Sequence, residues 1–371
     1  MRSLAYIQTI QALKPIQGAD KIECAEVLGW EVVVKKGDFQ VGDKAVYVEI
    51  DSILPDLPVF EFLRPKKFRI KTVRLRGQIS QGLVLPLSIL KEVDPTIDLD
   101  DLQIDQDVSD NLRITKYDPE ATLDTPIIQP RKSWLANRWS YLKWKLFGIK
   151  PKKGNRDFPA DVPKTDEVRV QKMGSLLWQH QGELVYLTEK LEGSSATFIY
   201  RGGGNWLAKL LGKDHHFQVC SRNRVVYDSG SGGERDHYLV QLAVKYNLLP
   251  AFQKLNRNLA VQAESLGPKI QGNIYQLLET DLRVFLVYDL DTKKYLPYQE
   301  AIEVASQLGL PFVPVLETMA PLVNGIKHYV ELSKGKSQMK PEIDREGIVI
   351  RAMDGSFSFK SINPEYLLKQ D

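Results

Sequence analysis

Residues 186–200 read YLTEKLEGSSATFIY. Lys190 stands between Glu189 and Glu192, and Gly193 and two serines follow. β-Branched and aromatic residues flank the cluster on both sides, so the pattern predicts two strands joined across it. The spacing K-x-x-G alone carries little, because it occurs four times, starting at Lys145, Lys190, Lys209 and Lys269. Only at Lys190 does a predicted strand end with another directly behind it. That is the setting a lysine nucleophile needs. A strand end holds the amine rigidly, a glycine lets backbone approach a phosphate, and neighbouring cations with partial burial favour the neutral amine.

Outward from this stretch, strands are predicted at SATFIYRG, HFQVCSRN, VVYDSG, RVFLVYDL, GIVIRAM and FSFKSI. ERDHYLVQLAVKYNLLPAFQKLNR and LPYQEAIEVASQLG read as helices. Without regular βαβ alternation, residues 166–371 predict an antiparallel-rich α+β domain.

Residues 1–110 read as a small β-rich module, with the β-branched runs of EVVVKKGDFQVGDKAVYVEIDSIL broken by Gly-Asp turns. In KKFRIKTVRLRGQISQGLVLPL, Lys67, Arg69 and Lys71 recur at period two, and Arg74 and Arg76 follow one step on. Such spacing puts them on one strand face. The face is either solvated or a basic strip that follows a phosphate backbone on a barrel, as OB-folds do. Residues 111–165 lose periodicity and read as a linker. Within it, Leu135, Trp139, Leu142 and Leu146 fall at helical spacing among lysines and arginines, a basic amphipathic helix over 133–147.

Composition narrows the class. The chain has 371 residues, 43% apolar and 26% charged, enough for two domains of ordinary globular character. Net charge is only +3, so a polyanionic partner has to be recognised by local patches. The two cysteines, Cys24 and Cys220, make no C-x-x-C pair, and the five histidines make no H-x-x-x-H pair, which argues against zinc. GKS at 335–337 lacks the P-loop glycine, since Val330 stands in its place. Ser194 and Ser195 lack the G-x-S-x-G elbow of a serine hydrolase. With no apolar leader or spanning run, a cytoplasmic monomer with no membrane partner is expected.

Several short segments, in order, resemble the motifs of the covalent nucleotidyltransferases, which comprise DNA ligases, RNA ligases and capping enzymes. They are EKLEG at 189–193, VCSRN at 219–223, AESLGPKIQGN at 263–273, VFLVYDL at 284–290, EGIVIR at 346–351 and FSFKSI at 357–362. The GPKIQGN segment, and the small space after the last motif, resemble the RNA-sealing branch. KPIQGADKIECAEVLGW, VVVKKGDFQVGD and DFPADVPKTDEVRVQ resemble its ATP-dependent members that carry an N-terminal OB-like domain and seal nicked duplexes at a 3′-OH RNA end. Two positions depart from the pattern. Ala263 replaces a glycine, and the positions two residues either side of Lys360 are Ser358 and Ile362 rather than a second lysine.

The resemblance implies an N-terminal OB-like β-barrel (1–110), a linker (111–165) and a nucleotidyltransferase domain of ATP-grasp-like ligase type (166–371). It implies that Lys190 carries AMP from ATP and that Lys360 supports the α-phosphate. Glu189, Gly193, Arg222 and Phe285 would contact the nucleotide, with Phe285 against adenine. Glu264 and Glu346 would hold Mg²⁺ or Mn²⁺. The implied partner is RNA or an RNA-containing nicked duplex. A DNA ligase or a GTP-using capping enzyme is the alternative within this superfamily. A catalytically dead OB-type RNA-binding protein is the alternative outside it, against which the intact Lys190, Glu346 and Lys360 argue.

Overall fold

The computed structural model describes residues 3–117, 157–203 and 215–369. The chain divides into two compact units, one built on the sequence up to Pro151 and one on Lys152–Leu367.

The first unit contains β1 (Ala5–Thr9), β2 (Ala12–Pro15), β3 (Ile22–Val27), β4 (Trp30–Lys35), β5 (Lys44–Val48), β6 (Ser52–Ile53), β7 (Thr72–Leu75), β8 (Gln78–Gln81), β9 (Leu83–Leu85) and β10 (Thr115–Lys116). Among the described residues these form separate short ladders, not one closed barrel: β1-β5-β9, β2-β3-β4, β7-β8 and β6-β10. Alternation fixes which side is core. Trp30, Val32 and Val34 of β4 point inward with Ala25, Val27, Tyr6 and Tyr47, while the residues between them stay half-exposed.

The basic strip does not form as a strand face. Pro58–Lys66 is a 3₁₀ helix, and Lys67 caps it in the left-handed conformation. Phe68 follows with φ 57°. Two consecutive left-handed residues reverse the chain, so the period-two spacing of Lys67, Arg69 and Lys71 corresponds to no shared face. The strand begins only at Thr72. Arg69 instead pairs with Asp51 at 2.8 Å, its guanidinium 3.5 Å from the centroid of the Tyr117 ring. Arg74 lies on β7, and Arg76 (φ 49°) with Gly77 turns the β7–β8 hairpin.

Both ends of the 111–165 stretch are packed. Leu112 and Ile114 are buried, and β10 pairs with β6. At the other end Val162 is buried beside Ile199 and Cys220. The basic helix read over 133–147 lies outside the described residues.

The second unit contains β11 (Val168–Arg169), β12 (Leu184–Lys190), β13 (Ser194–Gly202), β14 (His215–Ser221), β15 (Val225–Asp228), β16 (Gly232–Gly233), β17 (Leu259–Leu266), β18 (Asp281–Asp289), β19 (Lys294–Tyr295), β20 (Val315–Pro321), β21 (Gly347–Ala352) and β22 (Ser358–Ile362). They make two sheets, β11-β22-β21-β12-β20 and β16-β15-β14-β13-β17-β18-β19. The pairings are antiparallel except β11 with β22. The helical run at 234–257 is two helices, Tyr238–Lys245 and Leu248–Leu255, broken at Asn247, whose left-handed backbone (φ 51°) asparagine tolerates. Leu239, Leu242, Leu248 and Phe252 of that pair cover one face of the larger sheet. Leu177 and Tyr329, from helices Gly174–Gln179 and Ile326–Ser333, cover one face of the smaller. The chain passes from the smaller sheet to the larger through Leu191–Gly193, between β12 and β13.

Candidate active site

Lys190 is the last residue of β12 and pairs in register with Gly347, the first residue of β21. Glu346, one residue before β21, is thereby brought across from it. Lys190 Nζ donates to Glu346 Oε1 at 2.5 Å. Burial by itself would lower the Lys190 ammonium, but the carboxylates of Glu346 and Glu264 outweigh it and raise it above the ordinary lysine range.

Glu264 comes from the larger sheet, on β17 opposite Ser195. Burial, and the nearby carboxylates of Glu346 and Glu167, push it up to about 8 against the opposing pull of Lys190 and Arg222. Lys360 on β22 stands in register with Val349 of β21 and with Arg169 of β11. Burial, together with the positive charges of Lys190 and Arg169, lowers its ammonium to about 8. Two carboxylates and two amines, from residues 190, 264, 346 and 360, thus share one electrostatic neighbourhood.

The glycine in EKLEG has a packing reason. A Cβ at Gly193 would collide with the Ser265 carbonyl oxygen and lie 2.7 Å from Glu264 Cγ. The bare backbone therefore lets the crossing segment touch β17, which sets Lys190 beside Glu264. The space that glycine opens is filled by β17 atoms, where the sequence reading expects a phosphate. Gly347 works similarly, with the Ser361 carbonyl oxygen where its Cβ would need room.

The remaining expected residues divide. Arg222 donates to both carboxylate oxygens of Asp166, at 2.8 and 3.1 Å. Phe285 on β18 is buried with Leu191, Leu266 and Tyr275, and the Arg351 guanidinium sits 5.7 Å from its ring centroid. Glu189 does not join the cluster. Strand alternation turns it away from Lys190, and its carboxylate accepts the Gln338 backbone N–H at 2.7 Å. Lys67, Arg69, Lys71, Arg74 and Arg76 belong to the first unit.

Sequence reasoning missed Glu167, Arg169 and Arg351. Arg351 is buried on β21 and donates to Thr188 Oγ1 and Glu167 Oε1, each at 2.8 Å. The segment 157–169 carries the other two in along the sheets. Asp161 binds Arg201, the Pro163 carbonyl accepts from Gln262, and Val168–Arg169 then joins the smaller sheet as β11. The signal was present: the charged close of DFPADVPKTDEVRVQ and the last residue of EGIVIR.

Among the described residues no group of three or more His, Cys, Asp or Glu is arranged to grip a metal ion directly. Glu264 and Glu346 nonetheless fit a hydrated cation. Both bring carboxyl oxygens to one cluster, and Glu346 Oε2 is buried with no hydrogen-bond partner among the described residues.

An OB-fold domain model matches residues 4–87, and an RNA ligase family model matches residues 183–362. A search of curated proteins gave no match. Among solved structures, a mutant of Naegleria gruberi RNA ligase without ligand is 32% identical, with a TM-score of 0.78 over 100% of this chain and 98% of that one. A mutant of the same ligase with ATP and Mn is 32% identical at a TM-score of 0.77, over 99% of each chain. The same ligase with pyrophosphate is 32% identical at 0.77, over 100% of this chain and 99% of that one.

Proposed function

The chain belongs to the RNA ligase family, and from that premise we propose that it seals nicks in RNA-containing duplexes through an adenylated Lys190. It is an ATP-dependent RNA ligase with an N-terminal OB-fold domain. The observation that carries the site reading is the crossing between the two sheets, where Lys190, Glu346, Glu264 and Lys360 converge.

Three transfers follow. Lys190 Nζ attacks the α-phosphorus of ATP, a P–N bond forms, and the bond to pyrophosphate breaks. An RNA 5′-phosphate oxygen then attacks the same phosphorus and takes AMP from the lysine. Last, a 3′-OH attacks the activated 5′-phosphate, and AMP leaves as the phosphodiester forms. Each step moves negative charge onto phosphate oxygens, so fixed positive charge is what the site must supply.

Lys360 serves that need as a half-buried ammonium whose charge is felt with that of Lys190. Arg222, held by Asp166, would contact ribose or an RNA phosphate. Phe285 offers an apolar face to adenine. Glu264 and Glu346 would hold Mg²⁺ or Mn²⁺ through water, which supplies positive charge at the α-phosphate and draws carboxylate charge off Lys190. Lys190 is otherwise an ammonium bound to Glu346, unable to attack until it yields a proton.

Incubation with α-labelled ATP, NAD⁺ or GTP, followed by a denaturing gel, tests the first step. Label from ATP alone, and sealing of nicked RNA in preference to nicked DNA, is expected. Label from GTP would point to the capping branch, and equal sealing of DNA nicks to a DNA ligase. No helix among the described residues is long and apolar enough to cross a membrane.

A further inference from the structure

The last described turn of the second unit, Pro364–Leu367, holds two points on either side of the Lys190–Glu346 pair. At its start Asn363 anchors on the Glu346 side. The Asn363 backbone N–H donates to the Glu346 carbonyl at 2.9 Å, and its side-chain amide donates to the Arg345 carbonyl at 3.2 Å. Its carboxamide oxygen accepts from Glu365 N at 3.0 Å, which caps the turn. At the other end Tyr366, itself buried, donates its hydroxyl to Glu192 Oε2. Glu192 is two residues from Lys190, inside the crossing segment. The backbone N–H of Glu192 donates in turn to the hydroxyl of Tyr275 at 2.9 Å, and Gly193 rests on β17. The crossing segment is thus pinned at its main chain, its side chain and its glycine.

We propose that Tyr366 is a positioning residue: acting through Glu192, it closes a clasp that fixes the Lys190 backbone relative to Glu346. The proposal rests on the ligase reading given above. Lys190 must place its nitrogen in line with the leaving pyrophosphate, and a displacement of about 1 Å at such a centre costs up to ~10²-fold in rate. A hydroxyl–carboxylate bond to a buried tyrosine is directional enough to hold that alignment. Without it, the segment is still held by Tyr275, Gly193 and the packed Leu191, and the Glu192 side chain can swing.

The test separates the step that uses the Lys190 nitrogen from the step that does not. Rates of lysyl-AMP formation are measured against ATP concentration, and joining is measured separately on RNA that already carries a 5′-adenylate. For Tyr366→Phe the maximal rate of lysyl-AMP formation is expected to fall about 10-fold, with half-saturation by ATP moved by less than about twofold. Joining of pre-adenylated RNA stays within about twofold. Combining it with Glu192→Ala loses no more than Glu192→Ala alone, since both remove the same hydrogen bond. Asn363→Ala loosens the same turn from its other end; it gives the same selective loss and keeps the test decisive if Tyr366→Phe does not fold.

An unchanged labelling rate, equal losses in both reactions, or fully additive double-mutant losses each overturn the clasp. A wild type that labels normally beside an unaffected variant overturns the clasp alone. A wild type that takes no label overturns the ligase reading, and the clasp falls with it.

Discussion

Two short stretches of this chain read as strands that carry basic residues, three in one and Lys360 alone in the other, and they end differently. KFRIK at 67–71 is not a strand, because Lys67 and Phe68 turn left-handed and reverse the chain. SFKSI at 358–362 is β22, flanked by β21 on one side and by β11 on the other. Both read as strands from alternation. The difference is that β22 has two hydrogen-bonded neighbours to hold its pleat, whereas 67–71 follows a 3₁₀ helix. Alternation therefore marks a face only where partner strands exist to flatten it.

The consequence for charge follows directly. On β22, Lys360 is half-buried, and desolvation together with the positive charges of Lys190 and Arg169 drives its ammonium down. In the first unit Arg69 finds a nearby acid and an aromatic ring, Asp51 and Tyr117. The first arrangement concentrates like charge, and the second satisfies it locally.

The strongest break of this contrast would come at Lys190. Lys190→Ala should cut labelling by ATP more than ~10³-fold, yet leave joining of pre-adenylated RNA, since a nucleophile that acts only in the first step is absent from the last. Persisting label would mean that the cluster is structural and its lysine lies elsewhere. Next in size, Glu264→Ala and Glu346→Ala should each lower divalent-dependent labelling beyond ~10²-fold, because metal charge stabilisation is worth several kcal/mol. Unchanged Mn²⁺ titrations of both variants would remove the cation from the site.

Gly193→Ala tests the crossing between the sheets. A methyl driven against the Ser265 carbonyl oxygen cannot be accommodated without moving backbone, and overpacking of this kind costs about 1–3 kcal/mol. A lower melting temperature together with slower labelling is expected; an unchanged melt would show that the segment has room to shift.

The pH dependence sharpens the contrast at Lys360. Its ammonium, lowered to about 8, is charged at neutral pH and lost as pH rises through that value. Labelling should therefore acquire a falling component above pH 8. Lys360→Arg, whose guanidinium keeps its charge, should lack that component. The ratio of the two pH profiles isolates it from the rising limb that deprotonation of Lys190 contributes. A constant ratio across that range would show that Lys360 does not act as a charge.

The smallest effect belongs to the first unit. Arg74 on β7 and Arg76 at the hairpin tip are exposed, while Arg69 serves Asp51. If Arg74 and Arg76 each neutralise a phosphate of a nicked duplex, replacing them should flatten the plot of log binding constant against log salt. The slope should fall by about 0.9 for every phosphate they neutralise. Arg69→Ala should instead lower the melting temperature and leave the slope alone. The opposite pattern would restore the basic strip as an RNA-binding feature.

The resemblance of the motifs set the class of chemistry, and the sequence alone determined their order and singled out Lys190 as the candidate nucleophile. Those follow from local features: a strand end at Lys190, β-branched runs, and charged residues at fixed offsets within short segments. It also placed most strands of the second unit, because buried β-runs such as VFLVYDL and GIVIR are continuous in apolar character. Tertiary structure decided what lies at a distance in the chain. Glu167 and Arg351 meet across 184 residues, and Tyr366 reaches Glu192 across 174. No local pattern encodes such pairings; they depend on how the strands align in the two sheets. The purpose of Gly193 was equally hidden, since its neighbour is the Ser265 carbonyl oxygen on another strand. The turn at Lys67 escaped for the complementary reason. Backbone handedness there is set by the chain reversal after the 3₁₀ helix, and a lysine carries no sign of it, as a glycine would.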